Sequence, residues 1–127
     1  MMGFIVANPN PKNNLTGDCV IRAISLAEEK SWDDIFIELM ITSFEMKDIP
    51  SANPVWGAYL HSIGYRRNII PNTCPDCYRV KDFIEDYPKG TYILATGTHV
   101  ITVKDGNYYD TWDSGDEVPV YYWQKEE

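Results

Sequence analysis

Asn14-Leu15-Thr16-Gly17-Asp18-Cys19-Val20-Ile21-Arg22-Ala23-Ile24 carries a polar, glycine-containing loop straight into an amphipathic helix, with a cysteine at the junction. The first turn of a helix leaves backbone N–H groups unpaired and carries partial positive charge. Both favour thiolate over thiol, so a cysteine placed there is a potential nucleophile near neutral pH. Outward from this point, Val20, Ile24 and Ala27 form one apolar stripe, widened by Ile21 and Ala23, which predicts a helix deep in the core that ends at Lys30. Upstream, Asn8 to Asn14 holds two prolines and four asparagines, a loop composition. Thr16 or Asp18 is expected to cap the helix.

The chain has 127 residues and a net charge of −8, enough for one domain with one core, spanning 1–127. Without a run of Lys or Arg, no nucleic-acid partner is expected, because such binding rests on neutralising phosphates. No apolar run is long enough to cross a bilayer and no signal peptide is evident, so no membrane partner and a cytoplasmic setting are expected. Three cysteines in such a chain suggest a reducing compartment instead of a disulfide scaffold.

A helical half is expected over about 15–64 and a sheet half over about 65–125. Ser31-Trp32-Asp33-Asp34 restarts a helix with a Ser cap, and Trp32, Ile35, Phe36, Leu39, Met40 and Phe44 continue it as its apolar positions. Asn53 then caps a third helix, with Pro54 at its first position, Val55, Trp56, Tyr59, Leu60 and Ile63 as apolar positions, and Gly64 after its end. Strands are predicted at Tyr65–Ile70, Thr91–Thr96, His99–Lys104, Asn107–Trp112 and Val118–Trp123, with a short helix over Val80–Tyr87. Met1 to Ala7 reads as a leading strand or arm. Helices first and antiparallel strands second make the class α+β.

Cysteine at an early helix start, histidine on a late strand and a carboxylate on the returning strand form a suggestive order. It is carried by Gly17-Asp18-Cys19-Val20-Ile21-Arg22-Ala23, by His99-Val100-Ile101-Thr102-Val103 and by Tyr109-Asp110-Thr111-Trp112-Asp113-Ser114. This order resembles papain-like cysteine peptidases, above all compact bacterial or phage types such as the bacteriocin-processing and NlpC-type groups. The resemblance implies N-terminal helices packed on a C-terminal antiparallel sheet, with the cleft between them. It implies a thiol hydrolase or acyl-transfer enzyme without a cofactor, acting on a peptide or protein substrate through a thioester. Cys19 would attack, His99 would shuttle the proton, and a carboxylate would hold the imidazole. Papain-like enzymes use a Gln upstream of the cysteine as oxyanion donor; here Asn13 and Asn14 are the amides available.

Which carboxylate pairs with His99 depends on hairpin register, because a one-residue slip exchanges the faces of a strand. A three-residue loop over 104–106 with Gly106 as a bulge puts Thr111 opposite His99 and keeps Asp113 on its face. A two-residue turn at 105–106 puts Asp110 and Trp112 there instead. Asp113 is the expected third member, with Asp110 the alternative. Trp112 and Tyr109 are the aromatic residues expected to line the cleft.

Three features pull the other way. Asp18 beside the nucleophile would raise the thiol pKa unless its side chain turns away to cap the helix. Cys74-Pro75-Asp76-Cys77 has metal-ligand spacing, but no second cysteine pair completes a zinc site. It is read as structural or incidental first, a redox pair second and zinc ligands third. A non-catalytic module with the same fold, binding through its aromatic cleft, is the rival to the enzyme.

Overall fold

The computed structural model describes residues 3–126. Met1 and Met2 of the expected leading arm, and Glu127 of the acidic tail, lie outside the described residues. The elements in chain order are β1 (Gly3–Val6), α1 (Cys19–Glu28), α2 (Trp32–Met46), α3 (Asn53–Ser62), β2 (Tyr65–Ile69), α4 (Val80–Asp86), β3 (Thr91–Ala95), β4 (Val100–Lys104), β5 (Asn107–Asp110) and β6 (Tyr121–Lys125). Six strands form one sheet in the order β1-β5-β4-β3-β6-β2. It is mixed and not purely antiparallel, because β1 lies parallel to β5 at one edge.

Alternation along β3 divides the core in two. Ile93 and Ala95 face α1, α2 and α3, where they join Ile24, Ile35, Leu39, Trp56 and Leu60. Tyr92 and Leu94 face α4, where they meet Val80, Phe83, Ile101 and Val103. The stripe read in α1 is the buried one, with Val20, Ala23, Ile24 and Ala27 all inside. Ser31 caps α2 as expected, its hydroxyl accepting the Asp34 N–H at 3.0 Å. The outer side of α2 differs from its reading: Met40 and Phe44 are exposed, and only Ile35, Leu39 and Ser43 are buried.

Other departures have local causes. The last strand starts at Tyr121, not Val118, because Pro119 has no N–H to offer a ladder; pairing begins at Val120, which donates to Ala95 at 2.8 Å. Ala52 is the N-cap of α3, while the Asn53 side chain accepts from Trp56 Nε1 at 3.0 Å. Cys74 and Cys77 are joined in a disulfide. That corrects the expectation of free thiols and takes up both sulfurs that were weak candidates for metal.

Candidate active site

Cys19 is the first residue of α1. It is half-buried and is the free cysteine of the described residues. Its sulfur lies in a groove of about 250 Å³ whose walls include Gly17 and Val20 on one side, Ser51, Asn53 and Trp56 on another, and Thr96, Gly97, Thr98 and His99 on the third. His99 sits just before β4, at the end of the Thr96–Thr98 turn. Its backbone N–H donates to Thr96 Oγ1 at 2.9 Å, which fixes the turn that delivers the ring.

The hairpin register decides the carboxylate. Asp105 and Gly106 both take positive φ, 48° and 80°, as a two-residue type I′ turn requires. Lys104 therefore pairs with Asn107, Val103 with Tyr108 and Thr102 with Tyr109. Continued toward the open end, that register brings Trp112 to His99 and Asp110 one diagonal step away. The Trp112 and His99 rings stack with centroids 5.2 Å apart, and His99 Nε2 is 2.5 Å from Asp110 Oδ2. The expected third member, Asp113, is elsewhere: it is exposed, accepts from Tyr108 Oη and takes the Gly115 N–H at 3.0 Å. Asp110 is the carboxylate at the site.

Asp110 is buried and its oxygens are satisfied. Ser114 Oγ donates to Oδ2 at 2.8 Å, the Thr111 N–H donates to Oδ1 at 2.8 Å, and Arg22 Nη2 lies 3.7 Å from Oδ1. Burial pushes this carboxyl up, but the bonds from His99 and Ser114 outweigh it and hold the pKa below the ordinary value. Burial likewise pushes His99 down, and its bonds to Asp110 and Cys19 raise it to about 9. Burial raises the Cys19 thiol, and the imidazole, the Val100 backbone and the Arg22 charge together bring it below its ordinary 9. A thiol shifted down and an imidazole shifted up are the directions expected of a nucleophile beside its general base. With Nε2 on Asp110, Nδ1 is the ring nitrogen left for the sulfur.

Asp18, the residue that argued against a reactive thiol, turns inward. Its carboxylate pairs with Arg22 one helical turn on, and accepts from Trp32 Nε1 at 2.9 Å and Asn10 Nδ2 at 3.2 Å. It makes no side-chain cap to α1. Arg22 thus stands between Asp18 and Asp110, a buried cation shared by two carboxylates.

Asn13 and Asn14 are both exposed and neither lines the groove. Asn53 does line it. Trp56 Nε1 can only donate, so the Asn53 atom facing it is the oxygen and the amide NH₂ is left over. Reading Asn53 purely as a cap hid this, although its three-residue spacing from Trp56 was visible. Trp112 borders the site, but Tyr109 does not: it lines a separate groove with Leu26 and Glu29, and Leu26 is seven residues along α1 from Cys19, or about 10 Å at 1.5 Å per residue. No helix among the described residues is long and apolar enough to cross a membrane. No family model matches the chain, and no curated protein or solved structure matches it either.

Proposed function

We propose that the chain is a thiol hydrolase or acyl-transfer enzyme of papain-like layout, in which Cys19, His99 and Asp110 act on the carbonyl of a peptide or protein substrate. The observation that carries the reading is a helix-start thiol with a lowered pKa beside an imidazole held by a buried, fully hydrogen-bonded carboxylate. The Cys19 thiolate attacks the carbonyl carbon and the π pair moves onto oxygen. The Cys19 N–H, which has no intrahelical acceptor, and the Asn53 amide are the groups that could receive that oxyanion. As the tetrahedral species collapses, the imidazolium gives its Nδ1 proton to the leaving group and a thioester remains. The neutral imidazole then takes a proton from water, hydroxide adds to the thioester, and the thiolate leaves to restore the ion pair. Nε2 retains its proton throughout and donates it to Asp110, which fixes the ring.

Iodoacetamide alkylation across pH tests this. Under the proposal Cys19 reacts with an apparent pKa below the ordinary thiol value, and a peptide aldehyde protects it. Cys19→Ala abolishes both signals. A Cys19 that titrates like a free thiol and ignores the aldehyde would return the groove to the binding-module reading.

A further inference from the structure

The outer face of α2 is apolar where a surface helix should be polar. Ile37, Met40, Ile41 and Phe44 recur at i, i+3, i+4 and i+7, one stripe down one side, and are 55, 47, 55 and 73 % exposed. The opposite side of the helix already packs on α1 and α3 through Ile35 and Leu39, so this stripe is a second apolar face on the same element. Contiguous exposed apolar surface of this kind marks interaction sites on soluble domains. Its rim is lopsided in charge. Asp33, Asp34, Glu45 and Asp48 are exposed around it, against Lys47, whose ammonium lies 3.8 Å over the Phe44 ring, and Lys30, which is already paired with Glu38 at 3.6 Å.

We infer that this face docks a cationic amphipathic helix of another protein. The apolar side of such a helix would lie along Ile37, Met40, Ile41 and Phe44, and its Lys or Arg flanks would meet the acidic rim. The spacing of the four anchors is that of helix-on-helix recognition. The rim selects the partner's charge. A second copy of this chain would bring the same acidic excess to the seam, and an anionic lipid surface would meet the same repulsion. This inference stands apart from the thiol site and survives or fails independently of it.

The test uses two fluorescent helical peptides of about 18 residues with one shared leucine stripe, flanked by Lys in one and Glu in the other. The Lys-flanked peptide should bind the wild-type chain, more weakly as salt rises, and the Glu-flanked one should not. Ile41→Glu and Phe44→Glu, both at exposed positions, should each weaken binding about tenfold or more. Each variant also adds a negative charge, so loss of binding separates the stripe from general attraction to an acidic protein. Circular dichroism and Cys19 alkylation report that the variants remain folded. Equal binding of both peptides, binding by neither, or unchanged binding in the variants overturns the inference. So does self-association of the wild type that Phe44→Glu abolishes, or adsorption to anionic vesicles in preference to peptide.

Discussion

Around the N-terminal end of α1, three charged side chains, Asp18, Arg22 and Asp110, are buried together. Beneath α4 the buried side chains are apolar or aromatic: Phe83 stacks on Tyr87 at 4.3 Å and meets Tyr92 and Tyr122 edge-on at 5.3 and 5.1 Å. The tyrosines there keep their hydroxyls at the rim, where Tyr78 reaches Asp86 at 2.6 Å and Tyr92 reaches the Lys89 carbonyl at 2.7 Å. Buried ions are a poor source of stability, since desolvation offsets much of their attraction. Aromatic burial is a good one. Apolar burial on both faces of the sheet therefore holds it together, and the N-terminal end of α1 uses that rigidity to keep three charges and an imidazole in one arrangement.

Substitutions can break that division of labour. Cys19→Ala should have the largest effect: complete loss of thiol chemistry at the groove, with the melting temperature nearly unchanged. Asp110→Asn should lower turnover by about two to four orders of magnitude, the usual range for a general acid–base partner. It should also let the His99 pKa fall from about 9 toward 6.5, read by NMR titration of the ring. Phe83→Ala should do the reverse, costing about 3–5 kcal/mol of stability in denaturant unfolding while the alkylation rate of the folded fraction stays within twofold. If Phe83→Ala alters thiol reactivity as strongly as stability, the two regions are not separable. Asp113→Asn should do least: about 1 kcal/mol through the Tyr108 and Gly115 bonds, and no change in reactivity.

The pH dependence sharpens the same contrast. His99 has a raised pKa, so its contribution to stability is complete below about 6.5 and is lost as pH climbs through about 9. Asp110 has a lowered one, so its contribution is present above its ordinary 3.8 and is lost as pH falls through the folded value. Unfolding free energy of the wild type minus that of Asp110→Asn should therefore be largest between those limits and shrink on both sides. A difference that is flat with pH would mean that the His99–Asp110 pair is not charged in the folded chain.

Much of this was legible beforehand. The apolar spacing of Val20, Ile24 and Ala27 marked α1 and its buried side, and Ser31 marked the start of α2. The Asp105-Gly106 dipeptide even carried the register, since it suits a two-residue turn with both φ positive; what favoured Asp113 over Asp110 was the resemblance, because papain-like sites take the third residue near the end of the returning strand. Other features had no such signal. Met40 and Phe44 fit the α2 helix as well as Ile35 and Leu39 do, because periodicity says which residues share a face and not which face finds a neighbour.

The sequence by itself determined local conformation: where helices begin, where the chain turns back, and that a thiol opens α1 with a histidine to follow late in the chain. Those features depend on backbone preferences and hydrogen-bond partners a few residues away. Tertiary structure decided that Asp18 turns inward to the Trp32 indole, that Arg22 faces Asp110, that Asn53 and not Asn13 or Asn14 borders the groove, and that one apolar side of α2 stays in water. Each of these is a contact or a missing contact between segments distant in the chain. Its energy comes from burial and charge pairing that exist only after the sheet and helices have packed.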